Sequence, residues 1–395
     1  MKKIITLSAI TALIATSAFA TNGTNLIGYG AKSRAMGGTG VAQFQGAESG
    51  FNNPALIGMS DKNYELTIGG TILMPDVTYS DNTSGTMTTV DSTSEAGIIP
   101  DVGVINKVND QFAWGLTMYG TGGMGVDYRD STGTMAGTTG ANNNLMTMRF
   151  TVPLAYTPIK GLSLGFAPVI EYGSLSMAGS GTAANIAYGF DVGAAYKWRG
   201  LTVGVDYKSE IEHDYKNTFN SDFTGGTQSK LSSPAIVATG LSYQMPLNAV
   251  STLTAAIEYK MIMNSSASGF EDFGWEDQNV YALGLEYANK SGGYAVRVGF
   301  NYGENPLEND AMVNPNGSLG SIMTFPAVTE QHYTFGASKS INNRIDIDLA
   351  YVYGTGSEDW KNGAVPNGLG GYVPVDASTT NDQHSLTVAV NYKFN

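Results

Sequence analysis

SLTVAVNYKF, Ser385–Phe394, carries the pattern that decides the fold. Leu386, Val388, Val390, Tyr392 and Phe394 fall on one face, and Thr387, Asn391 and Lys393 on the other. That is the period of two that a β-strand imposes on its side chains. The same alternation recurs upstream. In STLTAAIEYKM (251–261), Leu253, Ala255, Ile257, Tyr259 and Met261 oppose Thr254, Glu258 and Lys260. In RGLTVGVDYK (199–208), Leu201, Val203, Val205 and Tyr207 oppose Thr202, Asp206 and Lys208. In GYAVRVGFNY (293–302), Tyr294, Val296, Val298, Phe300 and Tyr302 oppose Arg297 and Asn301. A fully apolar face with aromatics at its ends, set against a polar face, is the pattern of strands that meet lipid outside and water inside.

Counting such segments gives candidate strands near 63–75, 96–108, 111–120, 145–158, 161–174, 185–198, 200–213, 230–244, 251–263, 277–289, 292–303, 328–341, 343–355 and 383–394. That is about 14 strands; the second and sixth are the weakest, so counts from 12 to 16 stay open. Their connections alternate in length. Short ones fall at Asn109-Asp110, Ile159-Lys160, Arg199, Met245–Val250, Lys290-Ser291 and Asn342, and long ones at 76–95, 121–144, 175–184, 214–229, 264–276, 304–327 and 356–382. Short turns on the periplasmic side and long loops outside are the outer-membrane arrangement. A soluble sandwich has no reason to alternate so regularly. The expected fold is therefore all-β, a transmembrane antiparallel β-barrel.

Composition and the first residues agree. Lys2-Lys3, an apolar run over Ile4–Ala15 and the small-x-small Ala18-Phe19-Ala20 read as a secretory signal peptide over 1–20. The chain has 50 glycines, 22 tyrosines and no cysteine, and only 14% of its residues are charged. Without disulfides an exported chain needs another source of stability, and a large closed sheet supplies one. The formal net charge is −13 and becomes more acidic when the two lysines leave, which argues against nucleic acid as a partner.

The segment 21–60 fits neither strand nor helix. GYGAKSRAMGGTGVAQFQGAESGFNNPA (28–55) is rich in glycine and small residues and has no clear period. GYGAKS is not a phosphate loop, because Ala31 stands before Lys32 where that motif needs glycine. Some forty residues are too few for a domain of their own, but they can fold against the inner wall of a large barrel. The expected organisation is a plug, or hatch, over 21–60 and a barrel over 61–395. In the hatch, Gly37 and Gly38 would permit close approach to the wall, and Lys32, Arg34 and Glu48 would pair with lumen charges.

These pieces resemble one known family. GYGAKSRAMGGTGVA (28–42) with Asn53-Pro54-Ala55, RVGFNYGENP (297–306) and FPAVTEQHYTFG (325–336) are similar to segments of the FadL family of outer-membrane transporters for long-chain fatty acids and other hydrophobic compounds. The resemblance implies a fourteen-stranded barrel with an N-terminal hatch, acting as a monomer in outer-membrane lipid. It implies that Asn53, Pro54 and Ala55 form the hatch motif. It also implies that GTGGMGVDY (120–128), with Gly120, Gly122, Gly123 and Gly125, kinks the third strand and opens a gap in the wall for sideways release. Members of the family usually finish on an aromatic, and here Phe394 is followed by Asn395.

The inward-facing charges are Arg149, Glu171, Asp191, Lys197, Asp206, Lys208, Glu258, Lys260, Glu286, Arg297, Asp346 and Asp348. Most should pair with one another across the lumen. Arg149 and Arg297 are the candidates for holding a ligand carboxylate, since a guanidinium binds one bidentately. Met118, Met146 and Met148, with Met124 and Met135, would supply an adaptable apolar lining. His213, His332 and His384 are far apart and lack metal-ligand spacing; no metal, cofactor or catalytic residue is expected. The function expected is passive transport of a hydrophobic small molecule, most readily a long-chain fatty acid. Uptake of aromatic or alkane hydrocarbons, a sealed structural or adhesive barrel, and a polar porin remain as alternatives.

Overall fold

The computed structural model describes residues 22–94, 96–129, 142–177, 181–216, 230–307, 322–366 and 372–394. The signal peptide expected over 1–20, Met135 and Asn395 lie outside them. Fourteen antiparallel strands close into a barrel. They are Tyr64–Asp81, Gly97–Lys107, Phe112–Asp127, Asn142–Thr151 continued by Leu154–Ile159, Leu162–Met177, Gly181–Trp198, Leu201–Lys208, Ala235–Pro246, Ser251–Met263, Gln278–Asn289, Tyr294–Gly303, Gln331–Ser340, Ile345–Thr355 and Tyr372–Phe394. Closure occurs where the first strand pairs with both the second and the last: Tyr64 lies opposite Asn106 on one side and Phe394 on the other. Closure leaves no sheet edge to be satisfied by lipid.

The alternation seen in the sequence places its residues as expected. Ile257, Leu283, Val298, Phe335 and Val388 are exposed on the outside, where Tyr64, Phe112, Trp114, Tyr196, Trp198 and Tyr294 mark the end carrying the short turns. Among the expected inward charges, Lys197 is instead exposed, because it stands beside the turn at Arg199–Gly200 where the lumen has ended.

Several strands run past their expected ends. The first continues to Asp81, the last begins at Tyr372, and the two stay in register to Asp81–Ala377. Beyond the lipid the outward positions turn polar, as at Thr78 and Ser80, so the apolar signal fades while backbone pairing continues. The third strand reaches Asp127 through glycines read from sequence as a loop entry, with a register shift between Gly120 and Gly122. Inside the expected long loops lie a short strand, Thr88–Asp91, on the first strand and another, Ser357–Pro366, on the last, while the ends of two expected strands, 200–213 and 230–244, leave the barrel wall as a small two-stranded sheet of Ile211–Asp214 with Lys230–Ser233.

Candidate functional site

Residues 22–60 are almost wholly buried inside the barrel. They form two short helices, Ala31–Ala35 and Ser49–Asn52, and a 3-10 turn, Pro54–Met59. The wall is shaped to receive them. Facing the lumen, strand after strand carries a glycine where the segment's backbone docks. A Cβ on Gly204 would lie 2.0 Å from the Val41 carbonyl oxygen, one on Gly299 2.1 Å from the Gly37 amide, one on Gly165 2.1 Å from the Ala55 amide, and one on Gly193 2.0 Å from Asn53 Oδ1. No side chain fits at those distances, so the sockets exist only as glycine. On the segment itself, Gly37 and Gly38 have φ of 70° and 86°. A Cβ on Gly38 would meet the Ile27 carbonyl at 2.1 Å.

Hydrogen bonds fix the same docking. Asn53 caps the 3-10 turn by accepting from the Ala55 amide at 2.9 Å, and its Nδ2 donates to the carbonyls of Val41, Ala194 and Val205. Pro54 takes the first helical position, where its missing N–H costs nothing. Ala55 receives Ser163 Oγ at 2.6 Å, so this motif sits against the fifth and sixth strands. Glu258 accepts from the amides of Gly40 and Val41 at 2.6 and 2.8 Å, while Lys260 donates to the carbonyls of Ile27 and Gly38. Gly37 donates to Thr334 and accepts from Asn301.

The inward charges are paired. Lys208 bonds Asp206 at 2.7 Å and Asp191 at 3.5 Å, and Lys393 bonds Asp346. Of the segment's own charges, Lys32 reaches Asp348 at 3.4 Å and Arg34 donates to Ser385. Burial pushes the Arg34 guanidinium down to about 10. Glu48 lies against the Asp101 carboxyl of the second strand. Its two oxygens and Asp101 Oδ1 meet no donor among the described residues. Burial, and then the negative charge of Asp101, hold the Glu48 carboxyl well above the usual carboxylate range.

Arg149 and Arg297 are both buried and both engaged. Arg149 Nε bonds Glu171, which also accepts from His213 Nε2 at 2.9 Å and Ser233 Oγ at 2.5 Å. Arg297 donates to Glu286 at 2.6 Å and Ser338 at 2.5 Å. The two arginines thus serve separate networks. Met118 and Met148 stand on the outward face beside Leu116 and Phe150, because alternation carries them away from the lumen; the inner lining expected of them is not there. Met146 shares that face yet packs against an inner apolar cluster of Leu26, Tyr29, Phe51, Leu73, Ile99 and Tyr119.

That contact marks an interruption in the wall. The ladder between the second and third strands ends at Asp101–Tyr119 among the described residues. Past it, the leading segment supplies the third strand's partners: the Leu26 amide donates to the Thr121 carbonyl at 3.1 Å, and the Gly123 amide to the Thr24 carbonyl at 3.0 Å. A Cβ on Gly122 would fall 2.0 Å from the Thr24 carbonyl oxygen. Gly122 and Gly123 therefore let the segment lie against the strand where the neighbouring ladder has ended, whereas a Cβ on Gly120 would meet Ile99 of the second strand at 2.5 Å and the Gly125 carbonyl accepts from Ser94.

Toward the long-loop end the lumen fills with an apolar cluster that the sequence did not reveal. Tyr79, Tyr128, Phe270, Trp275, Phe325 and Trp360 are among its buried members, with Met124, Leu145, Leu175 and Leu231. Phe270 and Trp275 lie 4.5 Å apart by ring centroid, and Phe273 and Phe325 5.7 Å. Many of these residues come from loops, where no periodicity announces burial.

The family model for outer membrane protein transport proteins (OMPP1/FadL/TodX) matches residues 7–394. The chain belongs to the FadL/TodX family. FadL/TodX proteins are outer-membrane β-barrels, and the closed barrel described above fits that membrane. A long-chain fatty acid transport protein of Escherichia coli O6:H1 is 24% identical over 368 residues, 76% of this chain and 80% of the relative. The Salmonella typhi long-chain fatty acid transport protein is 27% identical over 203 residues, covering 43% of this chain and 46% of that relative. An uncharacterised Chlorobium limicola protein is 49% identical over 79 residues. The chain thus spans less than half the length of these last two relatives, 46% and 39%. Among solved structures, a Pseudomonas aeruginosa FadL homologue superposes with a TM-score of 0.70 at 16% identity, covering 94% of this chain and 100% of that one. The Pseudomonas putida toluene transporter TodX gives 0.67 at 16% identity over the same shares. The FadL/TodX fold is therefore shared by chains whose sequences have largely diverged.

Proposed function

We propose that this chain is a passive outer-membrane channel for hydrophobic molecules, long-chain fatty acids first, that releases its cargo sideways through the wall. Residues 21–60 are its hatch, and residues 1–20 direct export. The observation that carries the reading is the ended ladder at Asp101–Tyr119, closed from within by Thr24–Leu26 and bordered by an apolar lumen. A hydrophobe entering at the long-loop end meets the aromatic cluster, finds the way straight down occupied by the hatch, and reaches a thin place in the wall beside the third strand. Withdrawal of Thr24–Leu26 from the third strand opens that place toward the membrane. No energy source is required, because consumption downstream sustains the gradient. The outward apolar belt suits a monomer in outer-membrane lipid.

Aromatic or alkane hydrocarbons are the second reading. It is favoured by the pairing of both arginines, which leaves neither guanidinium waiting for a carboxylate. The relatives' names include both cargo classes. Uptake of labelled oleate and labelled toluene by cells with and without the protein tests both readings. Faster uptake of either supports a channel, and the ratio names the cargo. Equal uptake of both by the two strains, with the barrel assembled in the membrane, would make it a sealed structural barrel.

A further inference from the structure

Where the hatch meets the outer half of the third strand lies a small cavity bordered by Asn25, Gly123, His213, Tyr215, Leu231 and Ser232. Its volume is about 10 Å³, room for one oxygen atom on the scale where a water needs roughly 10–15 Å³. Four polar atoms of residues around it have no hydrogen-bond partner among the described residues: Asn25 Nδ2, His213 Nδ1, Tyr215 OH and Ser232 Oγ. All four residues are more than nine-tenths buried. Two of these atoms converge over bare backbone: a Cβ on Gly173 would lie 2.2 Å from Tyr215 OH and 2.8 Å from His213 Nδ1.

The chemistry of this set is specific. Glu171 is already satisfied by Arg149, His213 Nε2 and Ser233. When Nε2 donates to that carboxylate and Nδ1 carries no proton, Nδ1 offers a lone pair with no protein donor to meet it among the described residues. Asn25, Tyr215 and Ser232 supply donors. A hydroxyl group donates to Nδ1 and accepts from the others. A carboxylate has no proton to give Nδ1, needs room for two oxygens, and adds an anion beside Glu171. An alkane leaves every one of these atoms unmet. Leu145, Tyr215 and Leu231 belong both to the cavity and to the apolar cluster, so a hydroxyl seated here would have its hydrocarbon body among the cluster's side chains.

We infer that this cavity reads the hydroxyl of an uncharged hydroxylated hydrophobe, an alkanol or a phenol. The inference rests on the channel reading above and names a cargo class within it. Its test uses the purified folded barrel in detergent, with ligand binding followed by fluorescence of the tryptophans, of which Trp275 and Trp360 lie in the cluster. Decane, 1-decanol and decanoate are compared between wild type and variants, so that partition into micelles cancels. Tyr215→Phe and Ser232→Ala should each weaken 1-decanol by about 3- to 10-fold, the scale of one hydrogen bond, and leave decane unchanged. Loss of heat-resistant barrel migration on a gel would mark a variant that fails to fold; the two variants are independent, so one suffices. If decane binds and 1-decanol gains nothing from Tyr215 or Ser232, the cavity holds a structural water only and the inference falls while the channel stands. A decanoate loss equal to that of 1-decanol overturns the hydroxyl assignment. If none of the three binds the wild type, the channel reading itself fails.

Discussion

Replacing Gly299 with alanine should open the barrel. The added Cβ would lie 2.1 Å from the Gly37 amide nitrogen and 2.3 Å from the Met36 carbonyl carbon, both backbone atoms that no rotamer change can move. Forcing one methyl into a packed site costs about 1–3 kcal/mol. The segment escapes that strain only by lifting away, and then loses the Gly37–Thr334 and Asn301–Gly37 hydrogen bonds at 2.9 and 3.1 Å, about 1 kcal/mol each. The strain alone favours the lifted state by about 1–3 kcal/mol, and the lost bonds bound how far the segment resists. A shift of 1–3 kcal/mol raises an open population by about 5- to 150-fold, at 1.4 kcal/mol per tenfold. Planar-bilayer recordings of the purified protein give the readout as frequency of conducting events. Gly70→Ala is the control, because its nearest neighbour would be the Ile99 carbonyl oxygen at 3.6 Å, an ordinary contact. If Gly299→Ala stays as silent as wild type, or Gly70→Ala conducts as often, the sockets do not hold the hatch and the reasoning is wrong.

Other perturbations bear on the same docking. Glu48 has a raised pKa in the docked hatch, so its contribution is full below the ordinary glutamate pKa of about 4.3. That contribution is lost as pH rises through the raised value. Conducting events should therefore be more frequent at pH 9 than at pH 5, and Glu48→Gln should flatten the difference; a rise toward acid would contradict the sign. Asn53→Ala removes a cap and three carbonyl contacts, and should expose residues 22–60 to added protease with a loss of about 1–3 kcal/mol. Arg149→Ala strands the buried Glu171 carboxylate and should cost about 3–5 kcal/mol, read as a lower temperature of heat-modified gel migration. Ala31, Ala35, Ala350 and Ala389 form one buried cluster. Ala31→Cys with Ala389→Cys should cross-link in a chain that has no other cysteine, and uptake should continue after oxidation, because only Thr24–Leu26 have to withdraw; a block that reductant relieves would show that the middle of the segment moves.

The barrel was legible because its signal is local and repeated. Each strand states its own facing through residues such as Leu386, Val388 and Val390, and the short turns order the strands. The irregular leading segment, residues 22–60, was legible as a segment but not as a docked object. Which wall Asn53-Pro54-Ala55 would meet depends on partners more than a hundred residues away, Ser163, Ala194 and Val205. The outer apolar cluster was hidden for a different reason. Phe270, Phe273 and Phe325 lie in connections, where burial depends on other loops and leaves no period. The two arginines failed to declare their partners because a lone inward cation reads the same whether it awaits a ligand or already holds Glu171 or Glu286.

One signal was present in the sequence and bears on how such a channel opens. VGV at 203–205, LGL at 283–285, VGF at 298–300 and FGA at 335–337 each set a glycine on the polar face between outward apolar residues. Glycine weakens a strand, so its recurrence on one face needs a reason. The structure supplies it: these are sockets for Val41, Met36, Gly37 and Ala35. Spread over several strands, they make the middle of the hatch a poor candidate for the moving part, since it would have to leave many fitted contacts together. Thr24–Leu26 differ. They are held to the wall through two backbone bonds and the Gly122 socket at the third strand, where the neighbouring ladder has ended. The segment most easily released is thus the one whose release uncovers the wall, and the rest of the hatch can stay in its sockets while cargo passes.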